Sequence, residues 1–342
     1  MKLNKYNFAP FAFSQISFTK KNIIVLSLLA VQMVLFAFAK ELMLFYKIAL
    51  SVTAIIFVNF IAGKINKNAN WFDLSLVTDG VLIAFCTPNN YNLVAFFCLV
   101  AIAYFFVKIF FGGFGTNVFS TVAFTLMVLY FSFPNYFPQN LNMSEIVKPH
   151  GNMFSTLQIN GFIRNDKAIT SVLNYFFANI GVLIPEGYAN MLLNNVSTIP
   201  AFRYNLLTLF SAAFLFAYDI GERLISFVFI IVYGFLVWVF SMRQIDGTFF
   251  SGDILLAFCT TGIFFYAFFI VGEASTTPNT KIGKIIYGLI LGLVAFITCG
   301  PGACSIGIAF TIIIANICLP VILYFEEKIF YLTLRKKYGR SA

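Results

Sequence analysis

The chain has one histidine, His150, in 342 residues, and its six cysteines (Cys86, Cys98, Cys259, Cys299, Cys304 and Cys318) include no Cys-x-x-Cys pair. A zinc site or a Cys/His nucleophile therefore lacks its ligands or its base. Charge is equally scarce: Asp, Glu, Lys and Arg make up 10% of the residues, against 60% hydrophobic ones and a mean hydropathy of +0.89. No water-soluble fold could hide that many apolar side chains, so lipid is the solvent. The glycine patterns of soluble nucleotide-binding folds are missing too, with no G-x-G-x-x-G after a strand and no G-x-x-x-x-G-K-[ST]. The 46 phenylalanines read as lipid-facing bulk in a composition also rich in Asn.

What the chain does have is ten apolar runs, near 22–39, 41–62, 74–87, 91–111, 116–133, 204–220, 222–241, 251–271, 282–299 and 303–325. In hydrocarbon each backbone polar group must be satisfied within the segment, so each run is expected to be a spanning helix. The first run follows Lys20 and Lys21 and closes on Ala37-Phe38-Ala39, a cleavable pattern. It is longer than a signal core and has a polar lead of about twenty residues, so it reads as a span. With an inside N-terminus, 15 of the 22 basic residues fall on the inside, among them Lys64, Lys108, Lys284 and Arg335-Lys336-Lys337. That asymmetry puts both termini in the cytoplasm. It also accounts for the net charge of +9 through topology and anionic lipid, with no nucleic acid implied.

Organisation follows from one long interruption. Residues 134–203 contain Pro134, Pro138, Pro149, Pro185 and Pro200, and form an extracytoplasmic loop with apolar pieces at 172–177 and 180–184 that is expected to fold back over the outer mouth. The expected units are a cytoplasmic segment 1–21, a five-helix repeat 22–133, the loop 134–203, a second repeat 204–325 and a basic tail 326–342. A hexapeptide supports the duplication: Leu82-Ile83-Ala84-Phe85-Cys86-Thr87 in the third run is echoed by Leu255-Leu256-Ala257-Phe258-Cys259-Thr260 in the eighth. The copies lie five runs apart, an odd number, so they cross in opposite senses. Inverted halves place their working site at the midplane between them. The fold class expected is all-α integral membrane, about ten transmembrane helices in two inverted five-helix repeats.

Polar residues in apolar runs are costly and so are candidates for function. Asp79 and Asp253 precede the two echoed hexapeptides, Lys47 and Asn59 lie in the second run, Asn117 opens the fifth, Glu273 closes the eighth and Asn316 lies in the tenth. For Asp79 and Asp253 two readings stand, an ion path through a shared cavity or helix caps at the interface. Gly112-Gly113-Phe114-Gly115 and Gly300-Pro301-Gly302-Ala303 are Gly-rich helix starts. They suit either close approach to an anionic ligand or tight helix packing. Cys299 and Cys304 flank the second of these, and either pair as a disulfide or are small helix-end residues.

Lys108-Ile109-Phe110-Phe111-Gly112-Gly113-Phe114-Gly115-Thr116-Asn117, followed by Phe133-Pro134, resembles the K-x-x-[FY]-G-G-x-G-x-N…[FY]-P signature of the NqrB/RnfD family, the flavin-carrying membrane subunits of respiratory electron-transfer pumps. Residues 268–288 are similar to that family's F-F-M-A-T-D-P-V-S-x-P-T-T-N-K-G-R-L-I-Y-G, and Ala9 to Ser14 to its S-P-H-x-R-S lead. Length favours the RnfD branch, from the Rnf complex, over the longer NqrB one. The resemblance implies a urea-channel-like fold in a bacterial cytoplasmic (inner) membrane and FMN joined to a threonine in the outer loop, with riboflavin often bound in the membrane. The D-x-x-[ST]-G-A-T attachment motif falls on His150 to Thr156, which keeps Gly151 and the final Thr156. Gly272-Glu273-Ala274 stands for T-D-P and keeps a carboxylate, Ser120-Thr121 stands for N-P, and Ile109 replaces an acidic residue of the Nqr subunits.

The function expected is therefore that of a membrane subunit of an ion-translocating oxidoreductase, a translocase component without independent activity, whose partners are the lipid bilayer and the other subunits of an Rnf/Nqr-type complex. The cofactor-binding candidates implied are Thr156, Gly112, Gly113, Gly115, Asn117 and Glu273. Two alternatives are a small-solute transporter or channel of the same fold and a flavin-free structural subunit.

Overall fold

A computed structural model describes residues 17–65, 72–110, 117–138, 166–178, 184, 186–195, 197–218, 220–242, 253–302 and 304–338, and no strand occurs among the described residues. Each of the ten apolar runs contains helix among the described residues. Five helices are long and apolar enough to cross a membrane: Thr19–Phe38, Leu42–Lys64, Arg223–Ser241, Lys281–Cys299 and Gly307–Leu332. Leu74–Cys86, Leu93–Ile109, Thr121–Ser132 and Asn205–Ala217 are shorter apolar helices. The chain is a multi-pass, all-helical membrane protein.

Helix α1 (Phe18–Phe38) starts where the Ser17 hydroxyl accepts from the Lys20 amide, and turns at Lys40 (φ 58°) into α2 (Leu42–Ile65). Helix α3 (Leu74–Cys86) is capped by Asp73 and ends because Pro88 cannot carry the helix on. At 13 residues it reaches only about 20 Å, short of the roughly 30 Å hydrocarbon core. Helix α4 (Leu93–Tyr104) is capped by Asn92, whose Oδ1 accepts from the Val94 and Ala95 amides, and runs on as π-helix over Phe105–Ile109. Helix α5 is Thr121–Ser132. Between the halves lie α6 (Lys167–Phe177) and α7 (Tyr188–Leu193). The apolar piece at 172–177 is thus helical, while most of 180–184 lies outside the described residues.

The second half comprises α8 (Asn205–Ala217), α9 (Arg223–Ser241), α10 (Ile254–Thr261), α11 (Ile263–Phe265, continuing as π-helix Tyr266–Ile270), α12 (Lys281–Cys299) and α13 (Gly307–Tyr338). Helix α13 passes residue 325 without a break. Gly262 separates α10 from α11 in the left-handed region (φ 67°), where an added Cβ would strike the Phe202 ring.

Packing is similar in the two halves. Helix α2 packs on α3 and α4, and α4 on α5; α9 packs on α12, and α12 on α13; α5 meets α13 across the halves. Ser51 Oγ donates to Gly80 O at 2.7 Å, and Ser226 Oγ donates to Ala267 O at 2.6 Å, each joining the second helix of its half to the third. The hexapeptide echo does not share this register, because Leu82–Thr87 closes α3 whereas Leu255–Thr260 opens α10. Phe85 nonetheless stacks on Phe265 at 5.9 Å and 10°, so α3 and α11 touch at the centre of the bundle.

Candidate functional site

The helix order creates two polar ends. At one end the ends of α4 and α8, the starts of α1 and α5, the first turns of α3 and the segment after α11 surround a cavity of about 300 Å³. Lys108, carried inward by the π-turn that ends α4, places Nζ 2.7 Å from Asp79 Oδ2 and 5.4 Å from the centre of the Tyr104 ring. Asn117 Nδ2 donates to Glu273 Oε1 at 2.5 Å, joining residues 156 positions apart. Lys21 Nζ donates to Gly272 O at 3.4 Å and closes one side. Of these residues all but Tyr104 line the cavity, and Ser120 lines it beside them.

Two further lining residues, Asn22 and Ser75, have side-chain atoms, Nδ2 and Oγ, that are buried without a hydrogen-bond partner among the described residues. A buried polar group left unpaired costs about 1–3 kcal/mol, so these atoms mark a place built for a polar occupant or ordered water. Thr78 and Ser275 add hydroxyls, and the apolar part of the wall includes Val25, Leu82, Leu215 and Phe268.

Asp253 is not among the residues lining this cavity. It stands at the other end as the cap of α10, accepting from the Leu255 amide at 2.8 Å and the Leu256 amide at 3.2 Å, and it accepts the Tyr188 hydroxyl. Also at that end, Glu41 pairs with Arg203 and accepts from Asn89 Nδ2 at 3.0 Å. Fully buried Lys47 donates to the carbonyl of Pro88, two residues past the end of α3. Asn316 Oδ1 accepts the Tyr287 hydroxyl at 2.6 Å. Cys299 and Cys304 are both free thiols, joined only through the backbone by Cys304 N to Cys299 O at 3.3 Å. Thr156, Gly112, Gly113 and Gly115 lie outside the described residues.

Residues 5–331 match the model of the NQR2, RnfD, RnfE family. The chain belongs to that family. Similar proteins, each named as the D subunit of an ion-translocating oxidoreductase complex, include one from Actinobacillus succinogenes, 26% identical over 347 residues that cover 87% of this chain and 88% of the relative. Another, from Buchnera aphidicola subsp. Acyrthosiphon pisum, is 25% identical over 319 residues, 85% of this chain and 88% of the relative. A shorter match to the Erwinia tasmaniensis protein reaches 36% over 61 residues, 18% of this chain and 17% of that one.

Within the family frame, the two segments that carried the resemblance meet: 108–117 supplies Lys108 and Asn117, and 268–288 supplies Glu273. Sequence reasoning overlooked Lys21, Asn22 and Ser75. It had a signal for Lys108, because an aspartate inside an apolar run requires a counter-charge and Lys108 was the lysine already inside the signature.

Proposed function

We propose that this family member is the membrane subunit of an ion-translocating electron-transfer complex, and that the cavity between Asp79, Lys108, Asn117 and Glu273 is a flavin site. The observation that carries the reading is the 2.5 Å bond from Asn117 to Glu273, which brings the two signature segments to one polar cavity. The donors and acceptors present fit the group, since a flavin ring edge both accepts and donates hydrogen bonds. Asn117, Glu273, Ser75 and Asn22 would hold it, and the Gly112–Gly115 stretch, which lies in sequence between Lys108 and Asn117, would let backbone approach it. Bound flavin supplies reversible one- and two-electron transfer; the residues supply position and charge. Asp79 and Glu273 give a moving cation its counter-charge, and Asp253 serves the other end as a cap. A second flavin, FMN, is proposed as a phosphoester on Thr156 Oγ1, made by a separate transferase. The other subunits of such a complex are the partners.

The ten-helix inverted repeat belongs to the same proposal. Lys21 meeting Gly272, Lys284 meeting Glu222 at 2.7 Å and Thr280 Oγ1 donating to Glu326 at 2.5 Å gather at one end; Glu41, Asn89, Arg203 and Asp253 gather at the other. Successive helices therefore alternate in direction. A second echo supports the inversion: Thr87-Pro88-Asn89 precedes α4 and Thr277-Pro278-Asn279 precedes α12, one at each end. The repeats would be 22–133 and 204–325, with 134–203 outside and both termini on the cytoplasmic face of a bacterial inner membrane, where the basic residues collect. The closed Phe85–Phe265 stack does not favour an open solute channel.

Flavin retained non-covalently by the purified chain tests the site. Asn117→Leu and Glu273→Leu should each reduce retention by about tenfold or more, the loss expected for one hydrogen bond to a charged group, about 1.5–3 kcal/mol. Retention unchanged in both variants removes the cavity from the proposal.

A further inference from the structure

Helix α6 is amphipathic in the reverse sense to a helix on a water-soluble protein. Its polar side is turned inward, with Thr170 buried. Thr170 Oγ1 donates to Asp166 Oδ1 at 2.8 Å, Asn174 Nδ2 donates to Ile184 O at 3.0 Å, and Asn174 Oδ1 accepts from the Ile184 amide at 2.8 Å. Its apolar side is turned away, with Ile169, Val172, Tyr175 and Phe176 exposed by 44, 56, 80 and 66%. At about 100° per residue these four form one arc, away from Thr170 and Asn174.

The height of this helix is fixed by its neighbour. Asp166 accepts from the Gly187 amide at 2.6 Å and the Asn190 amide at 2.8 Å, fastening the start of α6 to α7. Helix α7 is fastened in turn to the starts of two membrane helices: Tyr188 donates to the Asp253 cap of α10, and Asn205 Nδ2, in the first turn of α8, donates to Met191 O at 3.1 Å. Those starts belong to the polar end that holds Asp253, Arg203 and Glu41, so α6 is held at the boundary of the hydrocarbon.

We propose that α6 lies in the bilayer interface, with Ile169, Val172, Tyr175 and Phe176 in lipid, as a surface anchor for the segment that connects the two halves. Its charge suits this occupant. Lys167 is its only charged side chain and no carboxylate lies within the helix, which favours anionic headgroups. Tyr175 adds an aromatic ring with a hydroxyl, the kind of side chain that collects at headgroup level.

The test is collision accessibility of a nitroxide label on the full chain in nanodiscs of phosphatidylethanolamine and phosphatidylglycerol. Labels are placed at Val172→Cys and at Ser171→Cys, with Cys98→Ser, Cys304→Ser and Cys318→Ser removing the more accessible native thiols. At position 172 dissolved oxygen should relax the label several-fold more than a water-soluble nickel chelate, and at position 171 the order should reverse. A 172 label reached better by the nickel chelate would overturn the proposal. Shielding of that label from both reagents, in the chain alone or after assembly with partner subunits, would identify a protein surface as the occupant and would overturn it equally.

Discussion

Asp79 and Lys108 form a buried pair in the bundle, hydrogen-bonded at 2.7 Å, and each is the other's nearest opposite charge. Removing Asp79 takes away the nearest counter-charge of Lys108: Asp79→Leu should destabilise the chain, by up to about 3–5 kcal/mol. The double variant Asp79→Leu/Lys108→Met should recover much of that loss, because two apolar side chains need no partner. Thermal unfolding in detergent measures both, and equal melting of wild type and Asp79→Leu would show that the pair is solvated. Asp253 is expected to behave as a cap. Asp253→Ala should cost about 1 kcal/mol, whereas Asp253→Asn, itself a good cap, should melt within a few tenths of wild type. A large loss of ion-coupled electron transfer in Asp253→Asn with unchanged melting would return this aspartate to the ion path. Asp79, Asn117 and Glu273 were legible in the sequence because each is a polar residue in an apolar run. Their meeting was not, since Asn117 and Glu273 are 156 positions apart and only the folded halves bring them to 2.5 Å.

Among the elements, the helix that breaks at Gly262 is the most exposed to test. The left-handed conformation there costs a residue with a Cβ about 1–2 kcal/mol, and the Phe202 ring occupies the space a Cβ needs. Gly262→Ala should therefore lower stability by at least that amount, and Gly262→Ala with Phe202→Leu should regain the steric part. An unchanged melting temperature in the single variant would mean that the break is not retained in solution. Apolar runs marked where the helices lie, because a helix in lipid is fixed by composition more than by pattern, although only five of them are long and apolar enough to span. Helix ends were less legible: the fifth run suggested 116–133, while α5 spans Thr121–Ser132. The hexapeptide echo misled about register. Its copies occupy opposite ends of their helices, and the Thr-Pro-Asn pair, whose proline stops a helix for a physical reason, is the echo that falls at matching places.

For the whole molecule, the basic residues and the alternating helices predict that residue 144 faces the outside. A Ser144→Cys variant should react with a membrane-impermeant maleimide on intact cells, and reaction only after permeabilisation would reverse the topology. Membrane residence was readable from the 60% hydrophobic composition, and the helical class from the apolar runs. What the molecule carries was not, because Thr156 keeps the hydroxyl of the family's attachment site without most of its surrounding motif. Flavin fluorescence of the denatured gel band tests the central claim most directly. Wild-type chain made together with the flavin transferase should fluoresce after denaturation, and Thr156→Ala should be dark. A dark wild-type band, together with no flavin in the supernatant of the denatured protein, would contradict the account of this chain as a flavin-carrying electron-transfer subunit.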